Sequence, residues 1–185
     1  LRGKPVVVGG SPEGRGVVAS ASYEARHYGI RSAMPMYTAL QRCPRAIRVL
    51  PRFDRYGEVS RQVMVIFREI AELVEPLSLD EAYMDVTDAV TASNTPEDIA
   101  AHLRARVLRE LGLTISVGVA TSKSVAKIAS DMNKPDALTV VPPGEECEFL
   151  APLDIQKLPG IGPKTAERLR GDGLNTVAEL IAQPD

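Results

Sequence analysis

The sequence predicts an α+β fold in which helices cover one side of a mostly antiparallel sheet. Three observations lead to this class. Apolar residues recur at helical spacing in residues 60–74, apolar and polar residues alternate in 113–120, and helix and strand patterns follow one another through 60–141. The order helix, strand, helix, strand, helix, strand is typical of one layer of helices packed on a sheet.

The first fifty residues predict a β-hairpin followed by two short helices. Apolar runs at residues 6–8 and 17–19 flank the glycine-rich loop 9–16, and residues 22–27 and 36–43 can form the helices. The loop lacks the G-K-[ST] ending of a P-loop, so it does not indicate that phosphate-binding motif.

The central region predicts three helices and three strands. Residues 95–98 match a capping box with proline at the first helical position, which indicates where the second of these helices begins. The predicted elements are a helix at 60–74, a strand at 77–86, a helix after Thr95, a strand at 113–120, a helix at 122–132 and a strand at 137–141. Two prolines and a glycine at 142–144 predict a domain boundary there.

Composition excludes several classes of protein. The 185 residues contain 22 Lys and Arg against 24 Asp and Glu, a formal net charge of −2, so nucleic-acid binding would have to come from local sites. No apolar run is long enough to predict a membrane span. Cys43 and Cys147 suggest neither a disulfide framework nor a zinc site, which favours a reducing cytoplasm. Because the chain begins at Leu1, we expect an internal fragment.

Two adjacent acids are the first candidate for chemistry. Asp80 and Glu81 interrupt an apolar segment, where an unpaired carboxylate would be costly. A hard cation such as Mg²⁺ would relieve that cost. Neighbouring strand residues point to opposite faces, so the two acids can share a metal only if the chain bends or ends there. A simple ion pair with an arginine remains the alternative.

Three cationic or phenolic side chains could bind phosphate. Tyr23 and Arg26 lie three residues apart on a predicted helix, and a guanidinium suits phosphate oxygens. Lys134 follows another predicted helix and precedes a proline. Surface roles remain open for all three: a tyrosine stacked on an arginine, and a solvated lysine at a helix C-terminus.

A glycine-containing turn between two helical patterns is the fourth candidate. In Pro159-Gly160-Ile161-Gly162 the glycines would let backbone N–H groups approach an anion, and Lys164 would lie beside them. This arrangement favours a sequence-independent grip on a DNA backbone. An ordinary αα-hairpin is the alternative.

Together these segments resemble the Y-family DNA polymerases, most closely the bacterial DinB branch, over essentially the whole chain. The resemblance rests on motifs that occur in the family's order. They are Ser20-Ala-Ser-Tyr-Glu-Ala-Arg26, Glu75-Pro-Leu-Ser-Leu-Asp-Glu-Ala-Tyr-Met-Asp85, Val117-Gly-Val-Ala120, Lys127-Ile-Ala-Ser-Asp-Met-Asn-Lys-Pro135 and the turn at Leu158 to Gly162.

The resemblance implies a division into part of a fingers domain (1–52), a palm lacking its first strand (53–141) and the start of a helix-hairpin-helix thumb (142–185). It implies that Asp80 and Glu81 hold two catalytic Mg²⁺ ions. Four residues would contact the dNTP triphosphate, and four would contact DNA. The first group is Ser20, Tyr23, Arg26 and Lys134, and the second is Gly160, Ile161, Gly162 and Lys164.

The same resemblance implies translesion synthesis on primer-template DNA by a monomeric cytoplasmic enzyme without a membrane anchor. A sliding clamp would bind through a C-terminal tail outside this chain. Because the family's first metal-binding aspartate and its little-finger domain are expected outside it too, we expect the chain alone to extend primers poorly. A non-catalytic DNA-binding fragment and a palm-like nucleotide cyclase remain alternatives.

Overall fold

The computed structural model describes residues 1–183. The chain divides into two units, Leu1–Gly57 and Glu58–Asp185. The boundary between the units falls within one helix, Phe53–Arg68. The predicted division into fingers, palm and thumb stays a prediction.

The first unit contains a three-stranded sheet with two short helices. Its strands are β1 (Val6–Gly9), β2 (Val18–Ala21) and β3 (Ile47–Val49), and its helices are α1 (Tyr23–Arg26) and α2 (Met36–Arg42). β1 is central, antiparallel to β2 and parallel to β3. This confirms the predicted hairpin and both helices. Apolar side chains from every layer form one core: Val7, Val18, Ala25, Ile30, Met36, Ala39 and Cys43.

The second unit begins within a long helix whose predicted position was wrong at both ends. This helix, α3, spans Phe53–Arg68, and Val74, predicted on its apolar face, lies in strand β4 (Leu73–Pro76). Val74 nevertheless joins the same core as Ile66 and Phe67. A residue that reaches a core from a strand can extend a helical pattern by chance, and backbone pairing decides which structure forms.

A tight hairpin follows, and it corrects the predicted strand at 77–86. Only Ala82–Asp85 is a strand, β5, which pairs antiparallel with β4 from Pro76↔Ala82 to Leu73↔Asp85. Residues 77–81 form the turn. Asp80 and Glu81 therefore lie where the chain bends, which removes the objection that neighbouring strand residues point to opposite faces.

Helix α4 (Pro96–Leu111) shares a hydrophobic core with this hairpin and with α3. The predicted capping box is confirmed, because Thr95 Oγ1 accepts from the backbone N–H of Asp98 and an Asp98 oxygen accepts from that of Thr95. Leu103 and Val107 are buried in the core that also contains Met64, Ile66 and Phe67.

The next three elements form a parallel β-α-β unit. They are β6 (Val117–Val119), α5 (Lys123–Met132) and β7 (Leu138–Val140), with β6 and β7 parallel. β6 is shorter than the predicted strand at 113–120. The α+β class is confirmed, but the described strands form three small sheets with two parallel and two antiparallel pairings, not one mostly antiparallel sheet. β6 and β7 run parallel because helix α5 carries the chain from the end of β6 back to the end of the sheet at which β6 began, so β7 runs in the same direction.

The last region is helical. Its helices are α6 (Glu146–Leu150), α7 (Pro163–Gly171) and α8 (Val177–Ile181), with a 3₁₀ turn at Ile155–Lys157. Pro163 is the first residue of α7, and Thr176 caps α8. None of the helices in residues 1–183 combines the length and the apolar character needed to cross a bilayer.

Candidate functional sites

The acidic turn, residues Leu77 to Glu81, is held by its own hydrogen bonds. The backbone N–H of Leu77 donates to the carbonyl of Glu81 over 2.8 Å. The Ser78 hydroxyl donates to an oxygen of the Asp80 carboxylate over 2.8 Å and accepts from the Asp80 N–H over 3.3 Å. Asp80 is exposed and, among residues 1–183, lies in no ion pair. Its carboxylate is therefore oriented but still available to a ligand.

Glu81 begins a chain of ion pairs along α5, which we call the ion-pair chain. Lys127 Nζ pairs with Glu81 Oε1 and lies 3.4 Å from Asp131 Oδ2. The other Asp131 oxygen lies 2.5 Å from Lys134 Nζ. Four residues of alternating charge, Glu81, Lys127, Asp131 and Lys134, thus connect the acidic turn to the predicted phosphate-binding lysine.

The ion-pair chain shifts the pKa values of its two central members. Burial alone would lower the pKa of Lys127, but the hydrogen bond to Glu81 and the nearby carboxylates outweigh it and raise that pKa above its ordinary value. Burial likewise favours a higher pKa for Asp131, yet the hydrogen bond and charge of Lys134, with the charge of Lys127, lower it. Both groups are therefore charged at neutral pH.

A glycine of β6 allows α5 to lie this close. A β-carbon on Gly118 would clash with the Ala126 carbonyl and lie 2.5 Å from the Ser130 nitrogen. Val125 and Ala129 fill the buried face of α5, and Ser122 caps its first turn by accepting from the N–H of Val125. The Val117 to Ala120 motif thus positions the helix that carries the ion-pair chain.

The acids fit part of a magnesium site. Mg²⁺ in nucleotide enzymes is held by one or two carboxylates together with substrate phosphates, and Asp80 and Glu81 supply two carboxylates from one turn. Within residues 1–183 no three His, Cys, Asp or Glu side chains form a metal-binding group. The acidic turn is therefore suited to a metal that also binds its substrate, and not to a closed protein site.

The three nucleotide-binding candidates of the first unit lie on β2 and α1. Ser20 is an exposed residue of β2, and Tyr23 is half exposed at the start of α1. Arg26 uses Nε to donate to the Ala21 carbonyl over 3.0 Å, which leaves its terminal nitrogens without a hydrogen bond in the described part of the chain. Ser22 fixes α1 to β1, since its hydroxyl accepts from the N–H groups of Val6 and Ala25.

The glycine turn, Leu158 to Gly162, connects the 3₁₀ turn at Ile155–Lys157 to α7. Gly160 adopts a φ of +92°, which favours glycine, and a β-carbon there would meet no atom within 4 Å. The N–H of Ile161 donates to the Leu158 carbonyl over 3.1 Å, and Gly162 caps α7. Lys164, in the first turn of α7, is exposed and makes no ion pair in the described residues.

Sequence reasoning missed Lys127, Asp131 and Gly118. From the sequence alone, Lys127 looks like a solvated surface lysine. Its i, i+4 spacing from Asp131 on a predicted helix could have indicated an ion pair. The contact between Lys127 and Glu81 spans 46 residues of sequence and leaves no local pattern. No local pattern distinguishes Gly118 from another small residue in an alternating strand, so its packing role could not be predicted.

Comparison with known proteins assigns the family. Residues 1–131 match the family described as impB/mucB/samB, and residues 143–173 match the IMS family HHH motif. DNA polymerase IV of Halorhodospira halophila is 54% identical over 98% of this chain and 51% of its own length. DNA polymerase IV of Exiguobacterium sibiricum is 52% identical over 100% of this chain and 51% of its own length. The chain thus spans about half the length of these curated relatives.

Solved structures agree with the sequence matches. DinB from Sulfolobus solfataricus superposes with a TM-score of 0.92 at 37% identity, over 99% of this chain and 54% of that one. An insertion ternary complex of Dbh DNA polymerase gives a TM-score of 0.88 at 37% identity, over the same shares. The predicted resemblance is confirmed, and the chain belongs to the impB/mucB/samB family of Y-family DNA polymerases.

Proposed function

We propose that this chain is the catalytic part of a template-directed DNA polymerase of the translesion type, which transfers a nucleotide from a dNTP to a primer 3′-hydroxyl. The observation that carries the proposal is the acidic turn: two carboxylates on a tight hairpin, one held by Ser78 and the other paired with Lys127. Relatives that are more than half identical to the chain bear the name DNA polymerase IV.

Asp80 and Glu81 would hold two Mg²⁺ ions together with the triphosphate. When bound, such a pair of cations activates the attacking oxygen and stabilises the leaving oxygen of an in-line displacement. The turn keeps the Asp80 carboxylate oriented through Ser78, so little order has to be gained on binding. Lys134 in the second unit would neutralise phosphate oxygens as charge develops.

Ser20, Tyr23 and Arg26 of the first unit would bind triphosphate oxygens. The free terminal nitrogens of Arg26 suit planar, bidentate contacts with phosphate oxygens, while its Nε keeps the side chain anchored to Ala21. Tyr23 would donate its hydroxyl, and Ser20 would add a weaker hydroxyl contact.

The glycine turn would hold the primer-template duplex. Backbone N–H groups of Gly160 to Gly162 and the N-terminus of α7 would contact phosphate without reading sequence, with Lys164 beside them. This supports a polymerase over a nucleotide cyclase, which has no duplex to hold. That the protein is a monomer and that it binds a sliding clamp both remain predictions.

Primer extension by the full-length gene product tests the proposal. We expect Mg²⁺-dependent, template-directed incorporation of dNTPs on an undamaged template and on one carrying a lesion. Arg26→Ala should raise KM for dNTP about tenfold, the cost of losing one charge-assisted contact. Binding of duplex without any incorporation would instead favour the non-catalytic DNA-binding alternative.

A further inference from the structure

Lys127 lies between two carboxylates that belong to different elements. It pairs with Glu81 of the acidic turn and lies 3.4 Å from Asp131, one turn further along its own helix. Its side chain is 24% exposed, against 38% for Glu81 and 44% for Asp131. Water therefore screens this contact less than an ordinary surface ion pair.

Lys123 provides an internal comparison on the same helix. It pairs with Glu75 of β4 and lies 5.6 Å from the centre of the Tyr83 ring, so it too joins α5 to the hairpin. The Lys123 and Glu75 side chains are 61% and 55% exposed, and their ion pair includes no residue of the acidic turn. Lys123 thus shares the structural role of Lys127 and lacks its position beside a predicted metal ligand.

We propose that Lys127 is a positioning residue that holds Glu81 until a divalent cation binds and is then retained by Asp131. The inference rests on the proposed function, because it concerns the predicted metal ligand. An ammonium and a metal ion compete for the same carboxylate oxygen of Glu81. Asp131 lies close enough to keep the displaced lysine paired, so that no charge is stranded when Glu81 turns to the metal.

The ion-pair chain also connects this exchange to Lys134. Asp131 accepts from Lys134 through one oxygen and faces Lys127 with the other. When Lys134 engages phosphate, Asp131 becomes free to hold Lys127, which in turn favours the release of Glu81. Metal binding at the acidic turn and phosphate binding at Lys134 would therefore support each other through two side chains of α5.

The test combines metal binding with turnover in the full-length protein. Mn²⁺ binding without nucleotide is measured from the electron paramagnetic resonance signal of free Mn²⁺. The binding event that disappears in Asp80→Ala is assigned to the acidic turn. In Lys127→Met that event should tighten about fivefold, because a positive charge beside the site is gone. The kcat for incorporation should nevertheless fall about tenfold or more, because without Lys127 the Asp131 carboxylate is left unpaired when Lys134 turns to phosphate, so Lys134 engages phosphate less readily.

Two further variants sharpen the expected pattern. Asp131→Asn should weaken Mn²⁺ binding by about threefold, the opposite sign, because Lys127 is left with Glu81 alone. Lys127→Arg should return Mn²⁺ affinity to within about twofold of the wild type. The matched control Lys123→Met should leave both Mn²⁺ affinity and kcat within about twofold, since its ion pair is exposed.

Several results would overturn the inference. One is Mn²⁺ binding in Lys127→Met that is unchanged or weaker, or that changes as it does in Lys123→Met. Another is a change of Mn²⁺ affinity in Asp131→Asn with the same sign as in Lys127→Met. A third is the absence of any Mn²⁺ binding that depends on Asp80. Failure of the proposed function has a different signature. A wild-type protein that never extends a primer would refute the polymerase activity, while the Mn²⁺ comparison would still decide whether Lys127 competes for Glu81.

Discussion

The acidic turn and the glycine turn are both tight connections in the second unit, but different groups give them their shape and their chemistry. In the acidic turn, side-chain contacts position the functional groups: Ser78 orients Asp80, and Lys127 holds Glu81. In the glycine turn, the backbone conformation sets the shape: Gly160 has a positive φ, and a β-carbon there would meet no atom within 4 Å. Substitutions in the first region should therefore affect turnover, and substitutions in the second should affect DNA affinity.

The largest expected effect is that of Asp80→Ala. The full-length protein should lose extension by about 1,000-fold or more, the scale expected when a group that stabilises transition-state charge is removed. Duplex affinity should stay within about twofold, because Asp80 is outside the glycine turn. Single-turnover incorporation and fluorescence anisotropy measure the two quantities. Equal losses of turnover and affinity would contradict the division between the two regions.

Gly118→Ala should give the next largest effect, on stability. The added β-carbon would overlap the Ala126 carbonyl, so α5 would have to move away from β6 at a cost of about 1–3 kcal/mol in the free energy of unfolding. Urea denaturation measures this cost. The matched control is Gly57→Ala in α3, where a β-carbon meets nothing within 4 Å and alanine should stabilise the helix by up to about 1 kcal/mol. Destabilisation by both variants would refute the packing argument.

Gly160→Val should weaken duplex binding by about tenfold, since it blocks the approach of a backbone donor to phosphate. The kcat at saturating DNA should change much less. The control is Gly171→Ala at the end of α7, where a β-carbon also meets nothing within 4 Å and φ is not positive. A fall in kcat as large as the loss of affinity would show that the glycine turn also serves the chemistry.

The smallest expected effect is the pH dependence of Asp131→Asn. Folding lowers the pKa of Asp131, so its ion pairs stabilise the protein above the unfolded-state pKa of about 3.9 and lose that contribution as the pH falls through the lower folded-state value. Partial exposure limits the contribution to less than about 1 kcal/mol. Urea unfolding should show a small difference from wild type at pH 7 that shrinks as the pH falls below about 3.9. Asp88→Asn, which removes an exposed charge that lies in no ion pair within residues 1–183, should show no such difference.

Local signals predicted many element boundaries in this chain. The capping box at Thr95 and the proline that follows it were predicted, because both depend on residues within one helical turn. The candidate residues were found for a similar reason. Acids in an apolar segment and glycines between helices are locally unusual, and the motifs that contain them occur in the order of one family.

Contacts between distant segments decided the rest. Val74 continues the helical pattern of α3 but pairs with Met84, and this pairing converts the predicted strand at Asp80 and Glu81 into a turn. Lys127 looks like a surface lysine until the close approach of α5 to Gly118 brings it to Glu81. A periodic pattern records only that a residue is buried or charged. Which partner it meets depends on strand register and helix packing, and these are set by the free energy of the whole fold.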